Sequence, residues 1–246
     1  MPIKAISFDF WNTLFAETPG GFKLYQERRR HLLKEALNDE GGNFTDEQIA
    51  QAATLEAQSH HLIWTGEHRT LTAAQRLLRI LGHLEASLSE ATINRVVSQY
   101  EEGIYERPPV LVDGAHEVIA QLSRQYRLGI ISDIGFSPGR VLRELMRKVE
   151  ILDAFDSLVF SDEAGRSKPH AEVFAKTSQT LQAHPTEMVH IGDLEHTDVV
   201  GAKNATYFSI RFVGVTPMEE GEKTIADVVT TDFSEIPNII KSLGVI

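Results

Sequence analysis

Four short, mostly apolar runs in this chain each stop on an aspartate. Ile3–Phe8 ends at Asp9, Leu128–Ser132 at Asp133, Leu158–Ser161 at Asp162 and Met188–Gly192 at Asp193. Runs this short and apolar predict strands buried on both faces, each delivering a polar side chain at its C-terminal end. Tyr207–Val213 and Val228–Thr231 predict two further strands. Apolar residues at helical spacing fill the gaps, at Ala115–Gln125, Pro138–Lys148, Ala171–Ala183 and Asp198–Asn204. Strands alternating with helices build a mainly parallel sheet, so the predicted fold class is α/β. In such sheets ligands bind beyond the carboxyl ends of the strands, where these aspartates stand.

The stretch from Phe22 to Arg107 has another texture: it is helical and polar and carries no strand pattern. Lys23–Asn38, Asp46–Thr65, Thr72–Gly82 and Ser89–Tyr105 space their apolar residues as helices do. Thr45 and Ser89 stand as N-caps before acidic first turns, and Pro108-Pro109 marks the return to the strand–helix pattern. A helical insertion, residues 17–108, is therefore predicted within a core made of residues 1–16 and 109–246. A chain of 246 residues suits one core with one such insertion. It has no internal repeat and no low-complexity tract.

Composition narrows the chemistry. A formal net charge of −11 argues against nucleic acid or an anionic membrane as partner, while local positive charge still suits a small anion. With no cysteine, thiolate catalysis, disulfides and cysteine-ligated zinc are excluded. Met-Pro-Ile-Lys runs straight into a strand rather than the apolar stretch of a signal peptide, and no apolar run approaches a membrane span. The expected protein is soluble and cytoplasmic. Oligomeric state leaves no mark in the sequence.

The strand ends carry the candidate chemistry. In Phe8-Asp9-Phe10-Trp11-Asn12-Thr13-Leu14 the carboxylate suits a nucleophile, as in aspartyl-phosphate enzymes, or equally a helix cap. Thr13 suits orienting that carboxylate or binding a phosphate oxygen. In Ile131-Ser132-Asp133 the hydroxyl suits an anionic oxygen or a turn, and Ser137-Pro138 signals a helix with proline in its first position. Lys168-Pro169 follows the loop Glu163–Ser167, with Pro169 starting the next helix. A lysine among carboxylates offsets their repulsion and keeps a nucleophile ionised; the alternative is a solvated lysine. In Ile191-Gly192-Asp193-Leu194-Glu195-His196-Thr197-Asp198, Gly192 permits close backbone approach, and Asp193 and Asp198 can both face one site. Hard oxygen ligands suit magnesium; the alternative is an N-cap at Asp198 and a loop aspartate at 193, and His196 reads as a loop histidine.

Singly these signals are weak, but their order is specific. An Asp strand end, a Ser strand end, Lys-Pro and Gly-Asp-x-x-x-x-Asp, in sequence on an α/β pattern, resemble the haloacid dehalogenase superfamily of hydrolases. The resemblance covers residues 3–16 and 109–240, and the insertion sits where that family carries a helical cap. It implies a Rossmann-like sheet with helices on both faces plus a cap domain at 17–108. It implies Asp9 as nucleophile, Thr13 and Ser132 as phosphate-side hydroxyls, and Lys168 balancing the charge of Asp9 and its phosphate. It implies Mg2+ held by Asp9, Asp193 and the backbone carbonyl of Trp11, with Asp198 as a ligand or directly behind one. A small phosphorylated molecule is the implied substrate.

One position departs from the family pattern. Its phosphatases carry a second Asp two residues after the nucleophile, which protonates the leaving group and then activates water; here stands Trp11. An indole N–H does not transfer that proton, and losing a general acid/base costs roughly 10²–10⁴-fold. The family's dehalogenases place Tyr there, because halide leaves unprotonated, but they lack the acidic Gly192-Asp193 loop. Three repairs are open: a leaving group that needs no proton, a cap acid among His60, His61, Glu67 and His68, or, in place of ester hydrolysis, carbon–phosphorus cleavage through a cap lysine, Lys23 or Lys34. A metal-independent 2-haloacid dehalogenase and a non-catalytic metal- or phosphate-binding member are the other readings. Asp133, where the family often has Asn, and Asn204-Ala205-Thr206, in place of an Ala-Gly step, are smaller departures.

Overall fold

The computed structural model describes residues 2–243; Met1 and residues 244–246, the ends of the predicted core segments, lie outside them. The strands in chain order are β1 (Ala5–Phe8), β2 (Phe15–Ala16), β3 (Val110–Leu111), β4 (Arg127–Ser132), β5 (Ser157–Phe160), β6 (Met188–Gly192), β7 (Phe208–Phe212) and β8 (Val228–Thr230). Six of them form one sheet in the order β5-β4-β1-β6-β7-β8, every pairing parallel. β1, which delivers Asp9 just past its end, lies at the centre, between the strands that end on Ser132 and Gly192.

The helices are α1 (Gly21–Asp39), α2 (Asp46–Glu67), α3 (Ala73–His83), α4 (Glu90–Glu102), α5 (Ala115–Leu122), α6 (Gly139–Lys148), α7 (Ser161–Ala164), α8 (Ala171–Leu181), α9 (Val200–Asn204) and α10 (Ile236–Leu243). Strand alternation sorts the core into two layers. Ile6, Phe8, Leu128, Ile130, Val189 and Ile191 pack against α5, α6 and α10. Ala5, Ile131, Val159 and Met188 face the other way, against α8 and α9. Helices thus cover both faces, and each large aliphatic or aromatic side chain buried there stabilises by about 1.5–3 kcal/mol.

The four helices α1–α4 form a separate apolar cluster around Leu33, Ala36, Ile49, Leu77, Ile80 and Val96. Thr45 and Thr72 each close a capping box, with Gln48 and Gln75, and the Ser89 hydroxyl accepts from the Thr92 N–H. Phe136, from the loop after β4, packs into this cluster. The chain leaves the core through β2 and returns through β3, and the two strands pair antiparallel, Phe15 opposite Leu111 and Ala16 opposite Val110. Among the described residues no helix is long and apolar enough to cross a membrane.

The structure corrects several local expectations. β5 ends at Phe160 and Ser161 opens α7, so Asp162 does not end a strand; its Oδ2 accepts the Gly139 N–H at 3.1 Å and caps α6. Pro138 is the N-cap of α6 rather than its first residue. Pro169 does not start α8, which opens at Ala171 after an N-cap at His170. Asp198 is no N-cap: it sits inside a π-helical turn, Glu195–Val199, that runs on into α9.

Candidate active site

Parallel pairing places Asp9 beside the end of β6, and its backbone N–H donates to the Ile191 carbonyl at 2.8 Å. From α8's entry loop the Lys168 Nζ reaches in and donates to Asp9 Oδ1 at 2.5 Å and Asp198 Oδ1 at 2.6 Å. The Lys168 backbone N–H donates to Asp133 Oδ1 at 2.9 Å. Asp193 follows β6, and its Oδ2 accepts from Asn12 Nδ2 at 3.3 Å. One oxygen each from Asp9, Asp193 and Asp198 lies within 4.8 Å of the others, and all three residues are buried. Gly192 makes this convergence feasible: a Cβ there would stand 2.2 Å from Asp198 Cγ.

Asp198 is the most heavily held carboxylate. Oδ1 accepts from Lys168 and pairs with His190 Nε2 at 3.0 Å; Oδ2 accepts from the Leu194 N–H at 3.0 Å and the Thr197 hydroxyl at 3.3 Å. The other His190 nitrogen, Nδ1, pairs with Ser7 Oγ at 2.9 Å. Arg211 Nε donates to the Asp193 carbonyl at 3.0 Å and so fixes the loop after β6.

Charge in the cluster is unbalanced. Three buried carboxyl groups, Asp9, Asp193 and Asp198, and the half-buried Asp133 face one buried lysine. Burial pushes Asp9 well above the usual carboxylate range; Lys168 opposes this, while Asp198 and Asp193 add to it. Burial and the Asp198 charge push Asp193 up to about 6. Burial works against the charged form of Asp198 too, but Lys168 and His190 outweigh it and hold that carboxyl far below its ordinary value. Burial likewise opposes the charged Lys168, and Asp198, Asp9 and Asp133 overcome it, so the lysine stays protonated. An oxygen-only donor set with surplus negative charge fits a hard divalent cation.

The predicted hydroxyls lie at the same strand ends. Thr13 and Ser132 are buried, but among the described residues neither bonds to Asp9; Thr13 Oγ1 has no partner, and Ser132 Oγ donates only to the Asp133 carbonyl at 3.3 Å. The Trp11 ring stands edge-on to Phe10, centroids 5.0 Å apart, and lines a cavity of about 620 Å³ between the strand ends and the helical insertion. The insertion reaches across this cleft. Trp64 Nε1 of α2 donates to Asp133 Oδ2 at 2.8 Å, the His68 carbonyl accepts from the Ser167 N–H at 2.8 Å, and the Thr70 and Ser161 hydroxyls meet at 2.6 Å. Asp133 therefore uses both oxygens as acceptors, which an Asn cannot do.

Of the acids considered at the insertion, His60 lines the cavity, but burial and Arg76 push its pKa down to about 4, and its Nε2 accepts from the Leu71 N–H. His61 stands beside Trp64, Glu67 pairs with Arg69 at 2.7 Å on the surface, and His68 is the left-handed C-cap of α2. Lys23 and Lys34 pair with Glu27 and Asp46. Sequence reasoning missed Asn12, His190, Arg211 and Trp64. His190 did leave a signal, as a titratable side chain inside an otherwise apolar strand.

The family profile described as haloacid dehalogenase-like hydrolase matches residues 3–206. A glyceraldehyde 3-phosphate phosphatase of Pyrococcus furiosus is 27% identical over 133 residues, covering 53% of this chain and 54% of that one. The pyrophosphatase PpaX of Bacillus thuringiensis is 30% identical over 125 residues, covering 49% and 56%. The chain thus spans about half the length of the curated relatives it matches. The crystal structure of a 2-haloacid dehalogenase from Pseudomonas syringae superposes with a TM-score of 0.71 over 98% of this chain and 99% of that one, at 18% identity, a likeness of fold.

Proposed function

The chain belongs to the haloacid dehalogenase-like hydrolases, and on that premise we propose that it is a magnesium-dependent phosphatase of small phosphorylated molecules. One observation carries the proposal: Asp9, Asp193 and Asp198 bring oxygens within 4.8 Å of one another at adjacent strand ends, around a single buried lysine. Asp9, Asp193 and the Trp11 carbonyl would hold the ion, which when bound neutralises phosphate charge. Asp198, its oxygens already engaged, positions Lys168 behind them.

Asp9 attacks phosphorus and the ester oxygen departs; water then cleaves the aspartyl-phosphate and releases inorganic phosphate. Lys168 opposes the burial that raises Asp9, a bound cation would lower that carboxyl further towards the ionised nucleophile, and the lysine shares the charge of the phosphoryl group. The partnerless Thr13 hydroxyl and Ser132 stand ready to bond phosphoryl oxygens. Residues 17–108 act as the cap that closes over the site and excludes water. Because Trp11 provides no proton, acyl or aryl phosphates, whose leaving groups need none, are the favoured esters.

Hydrolysis of an aryl phosphate that needs magnesium, stops with a chelator and disappears in Asp9→Asn supports this reading. No turnover across a broad panel of phosphate esters with magnesium refutes it. Trp11 favours a second reading, 2-haloacid dehalogenation, in which halide leaves unprotonated; chloride release from 2-chloropropionate, undiminished by chelator, selects it. The acidic pair Asp193 and Asp198 weighs against that reading, since both would repel an anionic haloacid without a cation.

A further inference from the structure

We propose that Arg29, on the insertion side of the cleft, binds a second anionic group of the substrate, so that the preferred esters carry a carboxylate or another phosphate at the end remote from the scissile one. This deepens the phosphatase reading and rests on it for the word substrate, but the anion site itself stands on separate observations.

Arg29 lies on α1 and lines the same 620 Å³ cavity as Trp11 and Asp133. Its guanidinium carbon stands 4.0 Å from the centroid of the Phe136 ring, and that of Arg76 stands 3.9 Å from the same centroid. Two guanidinium groups cannot share one face of a ring at that distance, so they sandwich it. The two arginines then differ in one respect. Arg76 is neutralised by Glu56, with Nε and Nη2 donating to the two carboxylate oxygens at 2.8 Å each. Among the described residues, the Arg29 guanidinium has neither an ion pair nor a hydrogen bond. Glu17 and Glu56 act on it only from beyond ion-pairing distance.

A half-buried cation without a counter-ion is an unfavourable arrangement in a resting protein. Burial and the nearby charge of Arg76 push Arg29 down to about 10, which still leaves it charged at neutral pH. Packing over Phe136 restrains the guanidinium and leaves its N–H groups free for a planar or tetrahedral oxyanion. Phe136 belongs to the loop that follows Ser132, so the tail-binding group is registered against the strand end proposed to take the phosphoryl group. The cavity volume falls in the range of small-molecule sites.

The test uses the full chain carrying Asp9→Asn, which binds esters without turning them over, and calorimetry with magnesium present. The probes are phosphate esters of ω-hydroxy carboxylic acids of increasing chain length, the matching alkyl phosphates, and the matching diol bisphosphates. At one chain length the anion-tailed probe is expected to bind at least about tenfold tighter than its alkyl counterpart, the scale of a charge-assisted hydrogen bond. Whichever tail gains more identifies the anion. Adding Arg29→Gln removes the difference, and Arg29→Lys, which keeps the cation but loses the fork and the stack, retains part of it and guards against misfolding of the Gln variant. Equal affinity at every length, or a preference that survives Arg29→Gln, overturns the inference. If the wild-type chain hydrolyses no ester while the Arg29-dependent preference persists, the anion site stands and the phosphatase reading falls; hydrolysis without the preference gives the reverse.

Discussion

Replacing Lys168 with methionine tests the electrostatic core of the site. Met nearly matches the volume of the lysine stem, so the substitution removes a charge and opens little cavity. Lys168, Asp9 and Asp198 have side chains only 2%, 8% and 2% exposed, so the solvent screening that makes surface ion pairs weak does not apply. Breaking a buried pair by deleting one partner costs about 3–5 kcal/mol, because the remaining charges stay uncompensated. For a chain of this size that is a fall in Tm of about 6–20 °C. The pH dependence has a definite sign. In the wild type the depressed Asp198 contributes stability that is present above its unfolded pKa and lost as pH falls below it. In Lys168→Met that carboxyl joins Asp9 among the raised ones, and a raised carboxyl destabilises the folded chain above its pKa and is relieved by protonation. The gap between the two melting curves therefore narrows as pH falls from 8 towards 5. Thermal unfolding followed by circular dichroism across that range measures both quantities. A Tm difference below about 2 °C, or one that does not change with pH, refutes the claim that Lys168 compensates this cluster.

Gly192→Ala drives a Cβ to 2.2 Å from Asp198 Cγ; Asp198 must move, with a stability loss of about 1–3 kcal/mol in denaturant titration and loss of turnover, and a variant as stable and active as wild type contradicts the packing. Thr206 holds φ at 60° on the surface where glycine is unstrained; Thr206→Gly is expected to gain about 0.5–1 kcal/mol after the extra chain entropy of glycine is subtracted, read as a higher Tm. Trp11→Asp places a carboxyl where the proton donor is missing; the ratio of alkyl to aryl phosphate hydrolysis should rise by about 10² or more, and an unchanged ratio shows that protonation of the leaving group does not limit the enzyme.

What could be read from sequence depended on the range of the interactions. β1, β4 and β6 are short unbroken apolar runs, and their C-terminal residues fall together because parallel strands share a direction; Asp9, Ser132 and Asp193 were therefore legible as one neighbourhood. Lys168 and Asp198 were legible through their order in the chain. β2 and β3, two residues each, are too short to have a period. α10 does have one, in Ile236, Ile239, Ile240 and Leu243, behind an Asp232 side chain that caps the preceding turn. The π-helical turn was not legible, since helical spacing does not reveal whether Asp198 stands at a helix start or inside a wider turn. The pairs Trp64–Asp133 and Arg29–Phe136 join distant segments, and nothing local in either segment marks its partner.

Ala16 and Val110 are directly opposite one another in the small antiparallel ribbon. The outgoing and returning chain therefore cross from one compartment to the other within a single inter-strand spacing, about 4.7–4.9 Å. Everything between them hangs on one narrow stem. Exchange of that whole segment by recombination has only two neighbouring ends to match, whatever its length, and leaves the strand-end carboxylates in register. On the proposed reading, in which the helices choose the molecule and the strand ends carry the reaction, selectivity and chemistry would then diverge at separate rates.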